Sequence, residues 1–276
     1  MKIAVLLASH NRSQKTIKCI QTLNDQNSQL DFFLVDDNSS DDTVEKIKRL
    51  FPDVKIFNGS GNLYWAGAMR YGWNKIDHNK YDMLLVVNDD VYFYEDAITN
   101  AIKEFKEIFE VRGANDFALV GSTNFSNNKN SVSYGGQKRS SKWHPLKFKL
   151  ISPSDSRNLE ADTLNMNFAM IPTDLILKLG FLENYFVHGG ADFEFGLRLK
   201  RKNAKIFVMK KFIGICDRNP DVTFAGNIFQ RFRKFNDPKV QPFNQRYQYF
   251  KSYGGFLWPI LFLASYIKLM FGLHKK

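Results

Sequence analysis

The sequence holds only two cysteines, Cys19 and Cys216, among its 276 residues. Two thiols do not supply the disulfide framework of a small secreted domain, so we expect a reducing compartment, the cytoplasm. The apolar start at residues 3–8 is shorter than the apolar region of a signal peptide and runs directly into polar residues. It therefore predicts a first β-strand rather than a targeting segment.

Long apolar runs and glycine-rich nucleotide loops are also missing. The apolar stretch at residues 256–266 is too short to span a bilayer unaided. No G-x-G-x-x-G follows the first predicted strand, which argues against a dinucleotide-dependent oxidoreductase. A sugar-nucleotide nucleotidyltransferase should carry a glycine-rich, basic loop at the same place, and residues 9–13 do not provide one.

What the sequence does contain is ordinary globular composition, 44% hydrophobic and 24% charged. Short apolar runs alternate with helical patterns, which predicts an α/β fold with a Rossmann-like, mostly parallel central sheet flanked by helices. Residues 124–160 are polar and predict loops and irregular strands. We predict strands at residues 2–8, 32–35, 54–57, 83–87, 164–171 and 205–208, and helices at residues 13–24, 41–50, 66–76, 95–111, 172–179 and 191–201.

Positive charge is concentrated in the last third of the chain. The net charge is +11, yet residues 198–276 alone hold 17 Lys or Arg against three Asp. Such a basic segment favours a surface that meets phosphates or an anionic membrane. We predict a main domain at residues 1–222 and a helical, basic and aromatic extension at residues 223–276. That extension either attaches to a membrane surface or packs on the main domain.

Polar clusters follow three of the predicted strands, at residues 8–12, 36–40 and 88–90. In an open α/β sheet, ligands bind at the carboxyl ends of the strands, so these clusters should converge on one edge. Two pairs of carboxylates at one edge repel each other unless a cation or hydrogen-bond donors compensate them. A diphosphate with Mg²⁺ or Mn²⁺ satisfies that requirement. Each cluster alone is also compatible with a turn and a helix cap, so their joint placement carries the interpretation.

The sequence resembles the family 2 glycosyltransferases, an inverting group with the GT-A fold. The resemblance covers roughly residues 1–210 and rests on residues 5–12, 34–41 and 86–91 as an ordered set. Residues 61–70 resemble the glycine-rich segment of rhamnosyltransferase-like members, and residues 189–198 resemble the acidic catalytic segment. The segment 254–259 is similar to the tail of bacterial capsule and O-antigen transferases.

The resemblance implies a role for each matching residue. Asp192 matches the general base, Asp90 matches the metal ligand, and Asp37 matches the residue that accepts a hydrogen bond from the base. Glu194 competes with Asp192, His188 is a candidate for acceptor contact, and Asp217 is a candidate third metal ligand. The remaining residues implied to bind the nucleotide are Ala8, His10, Arg12, Asn62, Trp65, Arg70, Asn88 and Asp89.

The expected function is transfer of a sugar from a UDP- or dTDP-linked donor to a hydroxyl group of a glycan or lipid-linked acceptor. Rhamnose is the leading donor sugar because of residues 61–70. The implied setting is bacterial surface polysaccharide synthesis on the cytoplasmic face of the plasma membrane. A non-enzymatic nucleic-acid-binding protein remains an alternative because of the basic tail. The acidic sheet edge would repel nucleic-acid phosphates, so we expect no nucleic-acid partner.

Overall fold

A computed structural model describes residues 1–26, 29–219, 237–238 and 242–271 of the chain. The predicted domain boundary at residues 222 and 223, and most of the basic aromatic segment before residue 242, lie outside the described residues. Thirteen strands and eight α-helices occur in the described ranges. They form an α/β fold with a mixed ten-stranded sheet and a small three-stranded sheet.

The N-terminal part of the chain builds a parallel unit. Four strands lie side by side in the order β3-β2-β1-β4, and the connecting helices cover the faces of the sheet. This confirms the predicted parallel alternation: β1, β2 and β4 are mostly buried, and β3 is the partly exposed edge strand. The elements are β1 (Ile3–Ser9), α1 (Ser13–Asn24), β2 (Leu30–Asp36), α2 (Thr43–Leu50), β3 (Lys55–Asn58), α3 (Tyr64–Lys75) and β4 (Met83–Val87).

Beyond β4 the sheet becomes mixed. The strand β12 runs antiparallel to both β4 and β6, and the sheet continues through β13 to β10. The elements in this part are β5 (Tyr92–Phe93), α4 (Ala97–Arg112), β6 (Phe117–Asn124), β7 (Val132–Tyr134), β8 (Gly136–Arg139), β9 (Phe148–Leu150), β10 (Leu159–Glu160), β11 (Thr163–Leu164), β12 (Phe168–Pro172), α5 (Thr173–Leu179), α6 (Ala191–Arg201) and β13 (Lys205–Ile215).

The central strand β6 is absent from the sequence prediction. Its eight residues are all buried, although its second half is polar. Two of its three polar side chains form tertiary hydrogen bonds: the Thr123 hydroxyl bonds the Ser133 hydroxyl at 2.8 Å, and Asn124 Nδ2 donates to the Lys129 carbonyl at 2.9 Å. The predicted strand at residues 164–171 is divided into β11 and β12, because polar residues interrupt its apolar pattern between them.

Two apolar layers enclose the sheet. One layer joins the strands to α1 and α4 and includes Ile20 and Phe105. The other joins them to α3, α6 and the C-terminal helices and includes Met69 and Phe195. The C-terminal helices are therefore part of the packing of the main domain.

The C-terminal elements are α7 (Phe243–Tyr253) and α8 (Trp258–Phe271), a packed helix pair. Tyr249 and Phe250 of α7 are buried in the core beside α6, so this helix packs on the main domain. Much of α8 is apolar and exposed. In the ranges that the structure describes, no helix has both the length and the apolar character required to cross a membrane.

Candidate active site

A cavity of about 660 Å³ opens at the carboxyl ends of the parallel strands β1, β2 and β4. The polar clusters that follow these three strands meet in it, together with the loop before α6. The predicted site residues that line it are Ala8, His10, Arg12, Asp37, Trp65, Asn88, Asp89, Asp90, His188 and Asp192.

Asp89 and Asp90 form a buried carboxylate pair beneath this cavity. Asp89 Oδ1 lies 2.8 Å from Arg12 Nη1, and Asp90 Oδ2 lies 2.6 Å from Arg12 Nη2. Burial raises the pKa of Asp89 to about 6; the charge of Arg12 opposes the shift and the charge of Asp90 adds to it. The Arg12 guanidinium therefore supplies the compensating charge that two adjacent carboxylates require.

The loops after β1 and β2 hold Arg12 in place. Asn11 has a left-handed backbone with φ of 52°, and its Oδ1 accepts hydrogen bonds from the amides of Ser40 and Asp41, at 2.7 and 3.2 Å. In return, Asn11 N–H donates to Ser39 Oγ at 2.9 Å. These reciprocal bonds tie the two loops together directly before Arg12, which stands at the N-terminus of α1.

Asp37 shapes the turn that precedes α3. Its Oδ1 accepts a hydrogen bond from Gly61 N–H at 2.7 Å, and its Oδ2 accepts from Leu63 and Tyr64 N–H at 2.9 and 3.1 Å. Tyr64 adopts a φ of 53°, which is unusual for a residue with a side chain. The carboxylate that sequence reasoning assigns to base recognition thus also organises the loop beside it.

Not every residue predicted to bind the nucleotide lies at the cavity. Asn62 and Arg70 are not among its lining residues. The Arg70 guanidinium instead donates to the backbone carbonyls of Glu183 and Phe186, at 2.9 and 2.7 Å. Trp65 does line the cavity, and its indole N–H donates to Asn88 Oδ1 at 2.9 Å. Arg70 therefore supports the far wall of the site rather than facing a ligand.

Asp192 is the second residue of α6, on the opposite side of the same cavity. Its Oδ1 accepts from the backbone N–H of Phe193 at 2.9 Å, and its Oδ2 accepts from Asn165 Nδ2 at 3.3 Å. Burial raises the pKa of Asp192, while these two hydrogen bonds oppose the shift. A carboxylate with a raised pKa is suited to accept a proton near neutral pH.

Of the three other candidate residues, one lines the cavity and two do not. Glu194 lies outside the cavity, buried, with its carboxylate 3.0 Å from Arg198 Nε. Asp217 is exposed and accepts hydrogen bonds from Ser126. The neighbour of Asp90 is Cys216 rather than Asp217, with Cys216 Sγ 3.6 Å from Asp90 Oδ1. His188 lines the cavity and packs against the Tyr64 ring. The structure thus corrects two candidates, since neither Glu194 nor Asp217 faces the site.

Sequence reasoning missed several lining residues, and one signal for them was present. Asn165 and Asn167 interrupt an otherwise apolar run, and such polar interruptions occur where a strand meets a site. Asn165 is itself oriented by Gln137, whose Nε2 donates to Asn165 Oδ1 at 2.9 Å. Ser9, Gly61, Tyr64, Ala68 and Gly189 lie within segments that were predicted to form the site, whereas the lining residues outside those segments are Tyr134, Asn165, Met166, Asn167 and Asn219.

The donor atoms at the carboxylate pair suit a hard divalent cation. Mg²⁺ is usually bound by one or two carboxylates together with substrate phosphates, so a large protein cage is not required. Asp90 and Asp89 provide carboxylate oxygens of that kind at the cavity wall. Elsewhere in the described ranges, as here, no group of three or more His, Cys, Asp or Glu side chains forms a metal site by itself.

Comparison with known proteins identifies the family. Residues 4–162, more than half of the chain, match glycosyl transferase family 2. No curated protein matches the sequence significantly. Among solved structures, TarS residues 1–349 from S. aureus is similar at 12% identity with a TM-score of 0.55, over 86% of this chain and 66% of that one.

Two further solved structures share the fold. The mannosyltransferase PcManGT from Pyrobaculum calidifontis, in complex with GDP-Man and Mn²⁺, is 13% identical with a TM-score of 0.56, over 91% of this chain and 63% of that one. GalNAc-T7 with UDP, GalNAc and Mn²⁺ is 11% identical with a TM-score of 0.58, over 87% and 49%. The chain thus spans about half to two thirds of the solved chains it matches. It has the GT-A fold, and it belongs to glycosyl transferase family 2.

Proposed function

We propose that this protein transfers a sugar from a nucleoside-diphosphate sugar to a hydroxyl group of an acceptor, with inversion at the anomeric carbon. The observation that carries the proposal is the arrangement of carboxylates in one cavity. Asp89 and Asp90 lie at one wall with Arg12, and Asp192 lies separately with a raised pKa. The first group suits a diphosphate, and the second suits removal of a proton.

The donor end of the cavity binds the nucleoside diphosphate. Asp37, His10 and Trp65 line the space beside the carboxylate pair, where the base and ribose would lie. Asp90, with Asp89 beside it, would hold Mg²⁺ or Mn²⁺, which when bound offsets the negative charge of the departing diphosphate. Neighbours of this fold were solved with UDP, with UDP-GlcNAc and with GDP-Man, which supports a nucleotide-sugar donor.

Asp192 acts as the general base. It accepts the proton of the acceptor hydroxyl while that oxygen attacks the anomeric carbon and the bond to the diphosphate breaks. The proton ends on Asp192 and the bonding electrons leave with the diphosphate, so a single displacement inverts the configuration. The raised pKa suits this role, because a base is most effective when its pKa is near the working pH.

A second cavity supports an acceptor site next to Asp192. It has a volume of about 350 Å³ and shares Tyr134 and Asn165 with the first cavity. Because Asn165 contacts Asp192, the second cavity adjoins the proposed base. Its Phe148 ring and the polar Arg218 side chain suit a glycan, since aromatic faces pack on sugar rings and a guanidinium binds hydroxyl or phosphate oxygens.

The exposed apolar surface of α8 supports a lipid-linked acceptor. Ile260, Leu263 and Ile267 are exposed at helical spacing on α8, and Phe256, which is 98% exposed, lies in the turn before it. Trp143 is 83% exposed in a loop whose Pro145 lies close to Gly255, at the start of this segment. We call Phe256, Ile260, Leu263, Ile267 and Trp143 together the α8 surface.

Basic residues accompany the α8 surface. Lys142, Lys147 and Lys268 are exposed there, and the charges of Lys147 and Lys268 both act on His144. Aromatic and aliphatic side chains flanked by lysines suit an anionic bilayer surface. We therefore propose that the protein attaches to the cytoplasmic face of a bacterial plasma membrane. We also propose that it acts in surface polysaccharide synthesis, and that dTDP-rhamnose is the first donor to test.

Calorimetric binding of UDP, dTDP and GDP, each with and without Mn²⁺, tests the donor site. We expect one nucleotide to bind in a Mn²⁺-dependent manner, and Asp90→Ala to weaken that binding by about 100-fold. Asp217→Ala is the matched control, because this carboxylate is exposed and bound to Ser126. Failure of UDP, dTDP and GDP to bind under any metal condition would contradict the proposed function.

Sedimentation with acidic lipid vesicles tests the α8 surface. A variant with Phe256, Ile260 and Leu263 each replaced by Ser should bind the vesicles at least about tenfold more weakly, because each side chain loses apolar area to bury. Leu177→Ser is the control, since Leu177 is exposed on α5, away from this surface. Wild-type protein that stays in the supernatant with acidic vesicles would disprove attachment.

A further inference from the structure

The helix α7 contacts the loop that leads to Asp192. Gln245 of α7 is buried, with 1% of its surface exposed. Its Nε2 donates to the carbonyl of Gly189 at 2.8 Å, and its Oε1 accepts from the N–H of Val187 at 3.3 Å. One side-chain amide thus binds the loop backbone on both sides of His188.

The same loop is held from its other side by α3. Arg70 binds the carbonyls of Glu183 and Phe186, and the N–H of Ala66 donates to the carbonyl of Val187 at 3.1 Å. The loop therefore lies between the helix beside the donor site and a helix of the C-terminal pair. Without either partner, several of its backbone groups would lose their hydrogen bonds.

The loop needs such external restraint because of its own sequence. It ends at Gly189 and Gly190, and Gly190 adopts a left-handed φ of 91° at the N-terminus of α6. Glycine permits this conformation but restricts the chain least of all residues. Since Asp192 follows two residues later, the position of its carboxylate depends on contacts from outside the loop.

A second contact from α7 reaches α6 directly. The Tyr253 hydroxyl donates to Glu194 Oε1 at 2.7 Å, and Glu194 is ion-paired with Arg198. Glu194 is thus a buried anchor between α6 and α7. Gln245 and Tyr253 therefore fix the polypeptide on both sides of Asp192.

We propose that Gln245 is a positioning residue for Asp192. The C-terminal helix pair is then part of the catalytic unit, in addition to attaching the protein to a membrane surface. The naming of Asp192 as the base rests on the proposed function. The contact between α7 and the loop does not depend on the proposed function. Because α8 packs on α7 through Phe262 against Phe243 and Phe250, the surface that meets lipid adjoins the helix that holds this loop.

The test compares Gln245→Met with Asn244→Met in the full-length protein. Methionine matches glutamine in length but binds neither Val187 nor Gly189, and Asn244 is an exposed neighbour on the same helix. In Gln245→Met we expect amide hydrogen exchange over residues 187–192 to be about tenfold faster. We expect kcat to fall about tenfold, with donor-nucleotide affinity unchanged within about twofold. Asn244→Met should match wild type.

Gln245→Glu separates hydrogen bonding from space filling. Glutamate has the shape of glutamine but sets an anionic oxygen against the Gly189 carbonyl, so we expect kcat no higher than that of Gln245→Met. The proposal would be overturned if amide hydrogen exchange at residues 187–192 in Gln245→Met occurred at the wild-type rate. It would also be overturned if this variant lost nucleotide affinity and kcat by the same factor. If wild-type protein transfers no sugar, the proposed function fails, while the exchange data still decide the role of Gln245.

Discussion

Arg12, Asp37 and Asp89 each lie within three residues of the end of a parallel strand, whereas Asp192 starts a helix that follows a long loop. The donor end of the cavity is therefore placed by the sheet itself. The base end is placed by packing between α3, α6 and α7. The difference indicates that the donor end should tolerate changes in distant helices, and that the base end should not.

The two ends also differ in electrostatics. At the donor end, the Arg12 guanidinium contacts both carboxylates at 2.6 to 2.8 Å. At the base end, Asp192 accepts hydrogen bonds from two neutral groups, the Phe193 amide and Asn165. Burial raises the pKa of a carboxylate at both ends, Asp89 and Asp192, but among the described residues only the donor end has a cation in contact with that carboxylate. Substitutions at each end test this contrast.

The largest expected effect is the loss of the base. Asp192→Asn keeps the shape of the side chain but cannot accept the acceptor proton, so kcat should fall about 1000-fold. Donor-nucleotide affinity measured by calorimetry should change by less than about twofold, because the donor end is built separately. Asp174→Asn, an exposed first-turn acid of α5, is the control for any general effect on a helix N-terminus. More than a tenth of wild-type kcat in Asp192→Asn would contradict the assignment.

Features that depend on local sequence were predictable. The helices over Ser13–Asn24 and Ala191–Arg201 and the strand over Met83–Val87 agree with the prediction residue for residue. The convergence of polar clusters at one sheet edge also followed from strand order, because parallel strands place their carboxyl ends together.

Features that depend on distant contacts were not predictable. The strand β6 is polar in its second half, and its burial depends on tertiary neighbours such as Ser133, which binds Thr123. Asp192 and Glu194 could not be distinguished from spacing, since both are first-turn acids. Their environments distinguish them. Glu194 binds the Tyr253 hydroxyl and the Arg198 guanidinium, whereas Asp192 lines the cavity and accepts a hydrogen bond from Asn165.

A smaller effect is expected from the charge pairing at the donor end. Arg12→Met leaves Asp89 and Asp90 adjacent without a cation, so the free energy of unfolding should fall by about 2–3 kcal/mol in denaturant titrations at pH 7.5. The loss should shrink at pH values below the Asp89 pKa, because a protonated Asp89 no longer repels Asp90. Lys46→Met, which breaks an exposed ion pair with Asp42, should leave the free energy of unfolding almost unchanged. Equal losses in the two variants would show that Arg12 does not compensate the pair.

The smallest effect concerns the tuning of Asp192. Asn165 donates to its carboxylate and thereby lowers its pKa against the effect of burial. Asn165→Leu removes this stabilisation of the ionised form, so the pKa of Asp192 should rise further. Since only ionised Asp192 accepts a proton, the acidic limb of the kcat profile should move to higher pH by the same amount. At pH values well above the limb, kcat should equal that of wild type, which serves as the internal control. A uniform fall in kcat at every pH would instead show that Asn165 positions the acceptor rather than tuning the base.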